Sequence, residues 1–227
     1  MENYKNFKIQ MTDGLFINTE KAFLKSDIKN FADKSGEVWN YSISSTKLTN
    51  DSTLLIGFNW GAEINMKYDK QKSIPKETFN SLYSKGYLGS FQRIYRPLKN
   101  HFPTEDIDSF TQTNFCFFRS KSEGQISDKD LKLSNPLFNE LLGLLVPKRI
   151  IGFSSKLKQY MLESKLCNSY QELNIPSNSR TLNVGKGDFI ASQNNIPIYF
   201  LPHPNSKFTN ESRKLAWDFC FKPFNLT

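Results

Sequence analysis

A chain of 227 residues, with 38% hydrophobic and 14% aromatic residues including 20 Phe, carries enough apolar material for one aromatic-rich core with helical decoration. Thirty Lys and Arg against 22 Asp and Glu leave a formal net charge of +8, which favours anionic partners such as nucleic acid. The three cysteines, Cys116, Cys167 and Cys220, are scattered without a CxxC spacing. That excludes a disulfide framework and the usual zinc or iron–sulfur patterns, and no cofactor is expected.

In chain order, residues 14–35 predict an amphipathic helix with Leu15, Phe23, Ile28 and Phe31 on its apolar side. "STLLIGF" is a continuous apolar run that suits a strand buried on both faces. "SIPKETFNSLYSKG" reads as a helix with Pro75 near its start and Gly86 at its end. "FQRIYRPLKNHF" predicts a second short helix, broken near Pro97. "TQTNFCFF" is a second buried strand. A polar loop, "SEGQISDKD", precedes the helix "NPLFNELLGLLVP" and a third strand, "KRIIGF". "SSKLKQYMLESKL" is the next helix, capped by Ser154 or Ser155. "IPIYFLPHP" is a fourth strand ending in a proline-rich corner, and "TNESRKLAWDFCF" is a closing helix with Thr209 as its N-cap.

Strands alternating with helices imply an α/β fold. The expectation is a three-layer sandwich with a central four-stranded, mostly parallel sheet and helices on both faces. One domain over residues 1–227 is expected, with 1–50 as a helical extension on a core of 51–222. The longest apolar stretch, "LLGLLVPKRIIGF", is interrupted by Pro147, Lys148 and Arg149 and falls short of the roughly 20 residues that cross a bilayer. "MENYKNFKIQ" has no apolar signal region, so a soluble, cytoplasmic protein without membrane partners is expected.

In sheets of this kind functional groups collect at the carboxyl ends of the strands. There the sequence places Asn59 in "GFNWG", Asn114 inside the second strand and His203 in "LPHPNS". Taken singly, each has a plain explanation. "GFNWG" reads as a strand-to-loop turn and "LPHPNS" as a rigid corner. Asn114 is harder to dismiss, because a buried amide without partners costs about 1–3 kcal/mol per unsatisfied group. No phosphate loop, GxGxxG or HExxH is present, and "GFSSK" lacks the second glycine of a nucleophile elbow. His101 reads as a solvated or capping histidine, and "NVGKGDF" as a hairpin turn with Lys186 within reach of phosphate.

In combination, the order and spacing of these motifs resemble the uracil-DNA glycosylase superfamily. "GFNWG" resembles the Gly-x-Asn-Pro-Gly turn of its single-strand-selective and mismatch-specific branches. "TQTNFCFF" is similar to its Asn-bearing core strand, and "PHPNS" to its His-Pro-Ser motif. "VPKRIIGFSSK" resembles the strand-to-helix unit between them. The resemblance spans roughly residues 50–222. Trp60 stands where that family has Pro, and Asn205 separates His203-Pro204 from Ser206. The four cysteines of the iron–sulfur branch are missing.

The resemblance implies a monofunctional DNA glycosylase of base excision repair, a monomer acting on uracil or a related deaminated base in single- or double-stranded DNA. It implies that Asn59 orients the attacking water and that a neutral His203 donates a hydrogen bond to the departing base. Gly57, Phe58, Trp60, Gly61 and Asn114 would form the base pocket, with Phe58, Tyr68 and Phe79 as candidates to stack on the base. Pro204, Asn205, Ser206, Lys207 and Phe208 would follow into the DNA. Two other readings stay open. One is a catalytically weak or inactive protein that binds DNA or a modified base on the same fold, which a pocket plugged by Trp60 would favour. The other is an unrelated α/β hydrolase or transferase domain.

Overall fold

The computed structural model describes residues 2–177, 180–190 and 195–222, with side chains from residue 13 onward; residues 1 and 223–227 of the expected domain lie outside it. Four strands run parallel: β1 (Thr53–Gly61), β2 (Thr111–Ser120), β3 (Arg149–Gly152) and β6 (Asn195–Phe200). These are the four strands predicted from apolar runs. The sheet does not stop there. β5 (Arg180–Ile190) and β4 (Cys167–Ser177) add an antiparallel hairpin, giving a six-stranded mixed sheet of order β2-β1-β3-β6-β5-β4 rather than the expected four strands.

The two extra strands escape an apolar-run reading for different reasons. β4, "CNSYQELNIPS", is exposed along most of its length, so no burial pattern marks it. In β5, "NVGKGDF" is strand rather than hairpin turn, with Gly185 opposite Phe200 and Gly187 opposite Ile198. A Cβ on Gly185 would come within 2.5 Å of the Tyr170 ring, so glycine is present there for a close approach and not for a turn.

Pleating divides the core. Leu54, Ile56 and Ile150 point into one apolar cluster, Leu55 and Ile151 into the other. The first is covered by α1 (Glu2–Leu24), α2 (Asp27–Lys34), α5 (Asp128–Leu145) and α6 (Ser155–Glu163). The second is covered by α3 (Phe79–Ser84), α4 (Tyr95–His101) and α7 (Asn210–Phe221). Leu15, Phe16, Phe23 and Ile28 all enter the first cluster, so the N-terminal helices complete a face of the sheet. Residues 41–46 run along the outer edge of β2, bridging Tyr41 to Phe118 and Ser44 to Thr113, and so cover an otherwise open edge.

Several helix boundaries differ from expectation. The helix expected over 14–35 is two, because Ser26 turns its hydroxyl back to accept the Lys29 N–H and starts α2. α5 starts at Asp128, inside the expected polar loop, where Ser127 and Asp130 cap it reciprocally, and Pro136 is carried within it. Pro97 is the third residue of α4, where its missing N–H costs little, so it opens that helix rather than breaking it. Ser154 and Thr209 cap α6 and α7 as expected. Among the described residues no helix is long and apolar enough to cross a membrane.

Candidate functional site

A cavity of about 520 Å³ opens at the carboxyl ends of β1 and β2 and is closed on one side by the loop after β6. Asn59, Asn114 and His203, three residues far apart in sequence, all line it, as do Gly57, Phe58, Trp60, Gly61 and Asn205.

β1 does not end at Gly57, as the turn reading had it. It continues through "GFNWG" to Gly61. The pairing with β2 slips on the way. Asn59 faces Cys116, but Trp60 faces Arg119, so β2 advances three residues where β1 advances one. Such a bulge re-aims the side chains beside it. Gly57 pairs with Asn114, and a Cβ on Gly57 would sit 2.2 Å from Asn114 Oδ1. Glycine at 57 is what leaves room for the Asn114 amide.

Asn114 is 6% exposed, and its amide has no hydrogen-bond partner among the described residues. It is not alone. Gln112, two residues earlier on the same face of β2, also lines the cavity with its Oε1 buried and unpaired. Ser45 Oγ and Trp60 Nε1 are buried and unpaired too, and both residues belong to the same wall. Each such group costs about 1–3 kcal/mol when left unsatisfied, and native cores hold few of them. Three such atoms, with the Asn114 amide beside them, give the cavity a polar wall that a ligand could satisfy.

Asn59 is held differently. Its Nδ2 donates to Ser120 Oγ at 2.7 Å and to the Trp60 carbonyl at 3.0 Å. Ser120 Oγ passes its own proton to the Ser122 carbonyl at 2.7 Å. Both N–H positions of the Asn59 amide are therefore used, and Oδ1 is left as its accepting end.

His203 is exposed at the mouth. The Asn205 backbone N–H donates to its Nδ1 at 3.2 Å. Loss of hydration, helped by the charge of Arg213, holds the imidazole pKa below its ordinary value. Both effects favour a neutral ring with Nδ1 as acceptor, which puts the proton on Nε2. Among the described residues Glu123 is the only carboxylate in the lining and Lys121 the only amine; both are exposed.

Of the expected aromatic stackers, only Phe58 lines the cavity, and Lys156 Nζ lies over its ring, 5.5 Å from the centre. Phe79 is fully buried in the second cluster. Tyr68 is committed to Arg119, whose guanidinium lies 4.6 Å above its ring. Trp60 also packs towards Arg119, at 5.9 Å, and does not plug the cavity. Beyond His203, Pro204 is buried, Ser206 and Phe208 are half-buried and Lys207 is exposed. Phe208 lines a smaller cleft of about 310 Å³ with Phe58, Phe153 and Ser154. Half-buried there, it is packed against the second cluster rather than held out as a wedge.

Sequence reasoning missed Gln112, Ser45 and Ser120, and Tyr87 and Phe91 of the loop and 3-10 turn that also line the cavity. Gln112 had a signal: a second amide at period two from Asn114 in an otherwise apolar strand. Tyr87 and Phe91 had none. His101, expected in solvent or at a cap, instead stacks on Trp217 at 5.4 Å. All three cysteines are free and buried; burial pushes the Cys116 and Cys220 thiols up to about 12, which makes them poor nucleophiles. Among the described residues no group of His, Cys, Asp or Glu is arranged to hold a metal. Comparison of the chain with protein families and with curated proteins returned no match.

Proposed function

We propose that the protein is a DNA glycosylase that flips a deaminated base, uracil or a relative of it, into the Asn59–Asn114–His203 cavity and releases it by hydrolysis. The observation that carries this reading is the cavity itself, where an unpartnered buried amide, an oriented amide oxygen and a neutral histidine face one space. The order of the three motifs in sequence, which resembles the uracil-DNA glycosylase superfamily, supports the same reading.

Each residue then has a chemical task. A base in a duplex is out of reach, so it must be extruded at a cost of a few kcal/mol. The Asn114 amide offers one donor and one acceptor, which match O4 and N3–H of uracil; cytosine presents the reverse pattern and would leave buried groups unpaired. Cleavage of the glycosidic bond leaves negative charge on the base. A donor aimed at that charge, His203 Nε2–H, stabilises it as it forms. Asn59 Oδ1 accepts a hydrogen bond from water and holds it for attack on the sugar carbon. An amide takes up no proton, so the chemistry leans on leaving-group stabilisation rather than on a general base.

Lys121 is exposed, whereas lysines that form Schiff bases are desolvated or set beside another cation. The product is accordingly an intact abasic strand. The open cavity beside Trp60 favours an enzyme over a protein that only binds on this fold.

The test is uracil release from oligonucleotides under single-turnover conditions. Asn59→Ala and His203→Ala should each lower the rate at least tenfold, with thermal unfolding unchanged to within a few degrees. Full activity in both variants would remove these residues from the mechanism.

A further inference from the structure

A second cavity, of about 650 Å³, is lined in part by Pro204, which stands in sequence between His203 and Asn205 of the first. Arg93, from the 3-10 turn Gly89–Ile94, and Arg213, from the first turn of α7, both line it. Neither has a carboxylate partner among the described residues. Among the described residues Asp218 is the only carboxylate in the lining, and it is already paired with Lys214 at 3.0 Å and Lys222 at 3.1 Å. Arg93 has no ion pair or hydrogen bond among the described residues. Arg213 spends one N–H on the Ser206 carbonyl, in the loop that carries His203. Arg93 is exposed and Arg213 half-buried, and burial together with the charge of Arg93 pushes the Arg213 guanidinium pKa down.

An anion entering this groove meets two guanidiniums that no carboxylate of its lining neutralises. The fork of Arg93, and the N–H groups of Arg213 beyond the one given to Ser206, suit phosphate oxygens. The Ser206 contact ties such an anion to the loop of the catalytic histidine. We infer that this groove binds the phosphodiester backbone of the DNA strand next to the flipped nucleotide, with Arg93 and Arg213 each neutralising phosphate charge. The inference rests on the glycosylase reading for the identity of the strand, while the fit to an anion rests on the groove alone.

Loss of Arg213 would also free the Ser206 carbonyl, so Arg93 is the cleaner probe. Fluorescence anisotropy would follow binding of a labelled oligonucleotide carrying an abasic site to wild type, Arg93→Gln, Arg213→Lys and Lys132→Gln across a salt series. Lys132 is an exposed lysine on α5, across the sheet, and serves as the charge control. Arg93→Gln should weaken binding several-fold at low salt and reduce the slope of log K against log [salt] by about one. Arg213→Lys should keep the slope and lose affinity, and Lys132→Gln should match wild type.

An Arg93→Gln slope equal to wild type, with DNA still bound, overturns the groove assignment and leaves the glycosylase reading standing. Binding of inorganic phosphate at Arg93 while DNA affinity ignores that residue overturns it in favour of a free-phosphate site. Polyglutamate competing as well as an oligonucleotide of equal charge also overturns it, since the groove would then be reading charge alone. Absence of any DNA binding by wild type overturns both readings together.

Discussion

At Asn59 the surroundings specify an amide. Its N–H groups go to two acceptors, the Trp60 carbonyl and a Ser120 hydroxyl whose own proton is already donated elsewhere. Asn59→Asp would set a carboxylate against both. Although it supplies a potential general base, it should lower the thermal midpoint and leave the excision rate at pH 7 no higher than wild type. A tenfold faster variant would contradict the proposed positioning role. Gln112 makes the opposite kind of test. Its Oε1 is buried and unpaired in the unliganded protein, so Gln112→Met should raise stability by about 1 kcal/mol in denaturant unfolding. The same change should weaken capture of the base, because it removes one of the cavity's polar groups. Loss of stability would instead show that Gln112 serves the fold. Asn59, Asn114 and His203 were legible in the sequence because each is a polar residue breaking an apolar or proline-bracketed run at a strand end. Tyr87, Phe91 and Ser45 were not, because they reach the cavity from loops and a 3-10 turn whose course only tertiary packing decides.

Among the elements, α2 and α5 depend on one fully buried carboxylate. Asp130 Oδ1 accepts the backbone N–H groups of Asp27 at 2.8 Å and Ile28 at 3.3 Å, and Oδ2 accepts that of Ser127 at 2.8 Å. One side chain thus caps both helix starts and joins them. Asp130→Ala should cost about 3 kcal/mol, read from the denaturant midpoint, with the cavity residues untouched. A cost under about 1 kcal/mol would mean that water replaces the carboxylate. No local pattern announced this contact, since it joins residues about a hundred positions apart. The parallel strands were legible for the contrary reason: strands covered on both faces must be apolar throughout, and they carry that in their own sequence. The β4–β5 hairpin is half-solvated and shaped by Tyr170 lying over Gly185, so its chain reads as polar loop and turn.

For the whole molecule, both histidines resist protonation in the fold: His101 through burial against Trp217, His203 through lost hydration and the charge of Arg213. The unfolded chain takes up protons near pH 6.5 at both positions, while the folded chain does so only at lower pH. Stability should therefore hold above about pH 6.5 and decline as the pH falls below it. His101→Gln should flatten part of that decline in a thermal melt series between pH 7 and 5; an unchanged profile would assign the decline elsewhere. The net charge of +8, the basic groove and the polar cavity together fit a protein that grips a nucleic acid strand and encloses one base. The most direct test is mass-spectrometric detection of free base after incubating wild-type protein with oligonucleotides carrying uracil, hypoxanthine or xanthine. The account predicts release of uracil or one of these relatives, leaving an abasic strand that stays uncut until treated with alkali. No base released from any of the three substrates would contradict it.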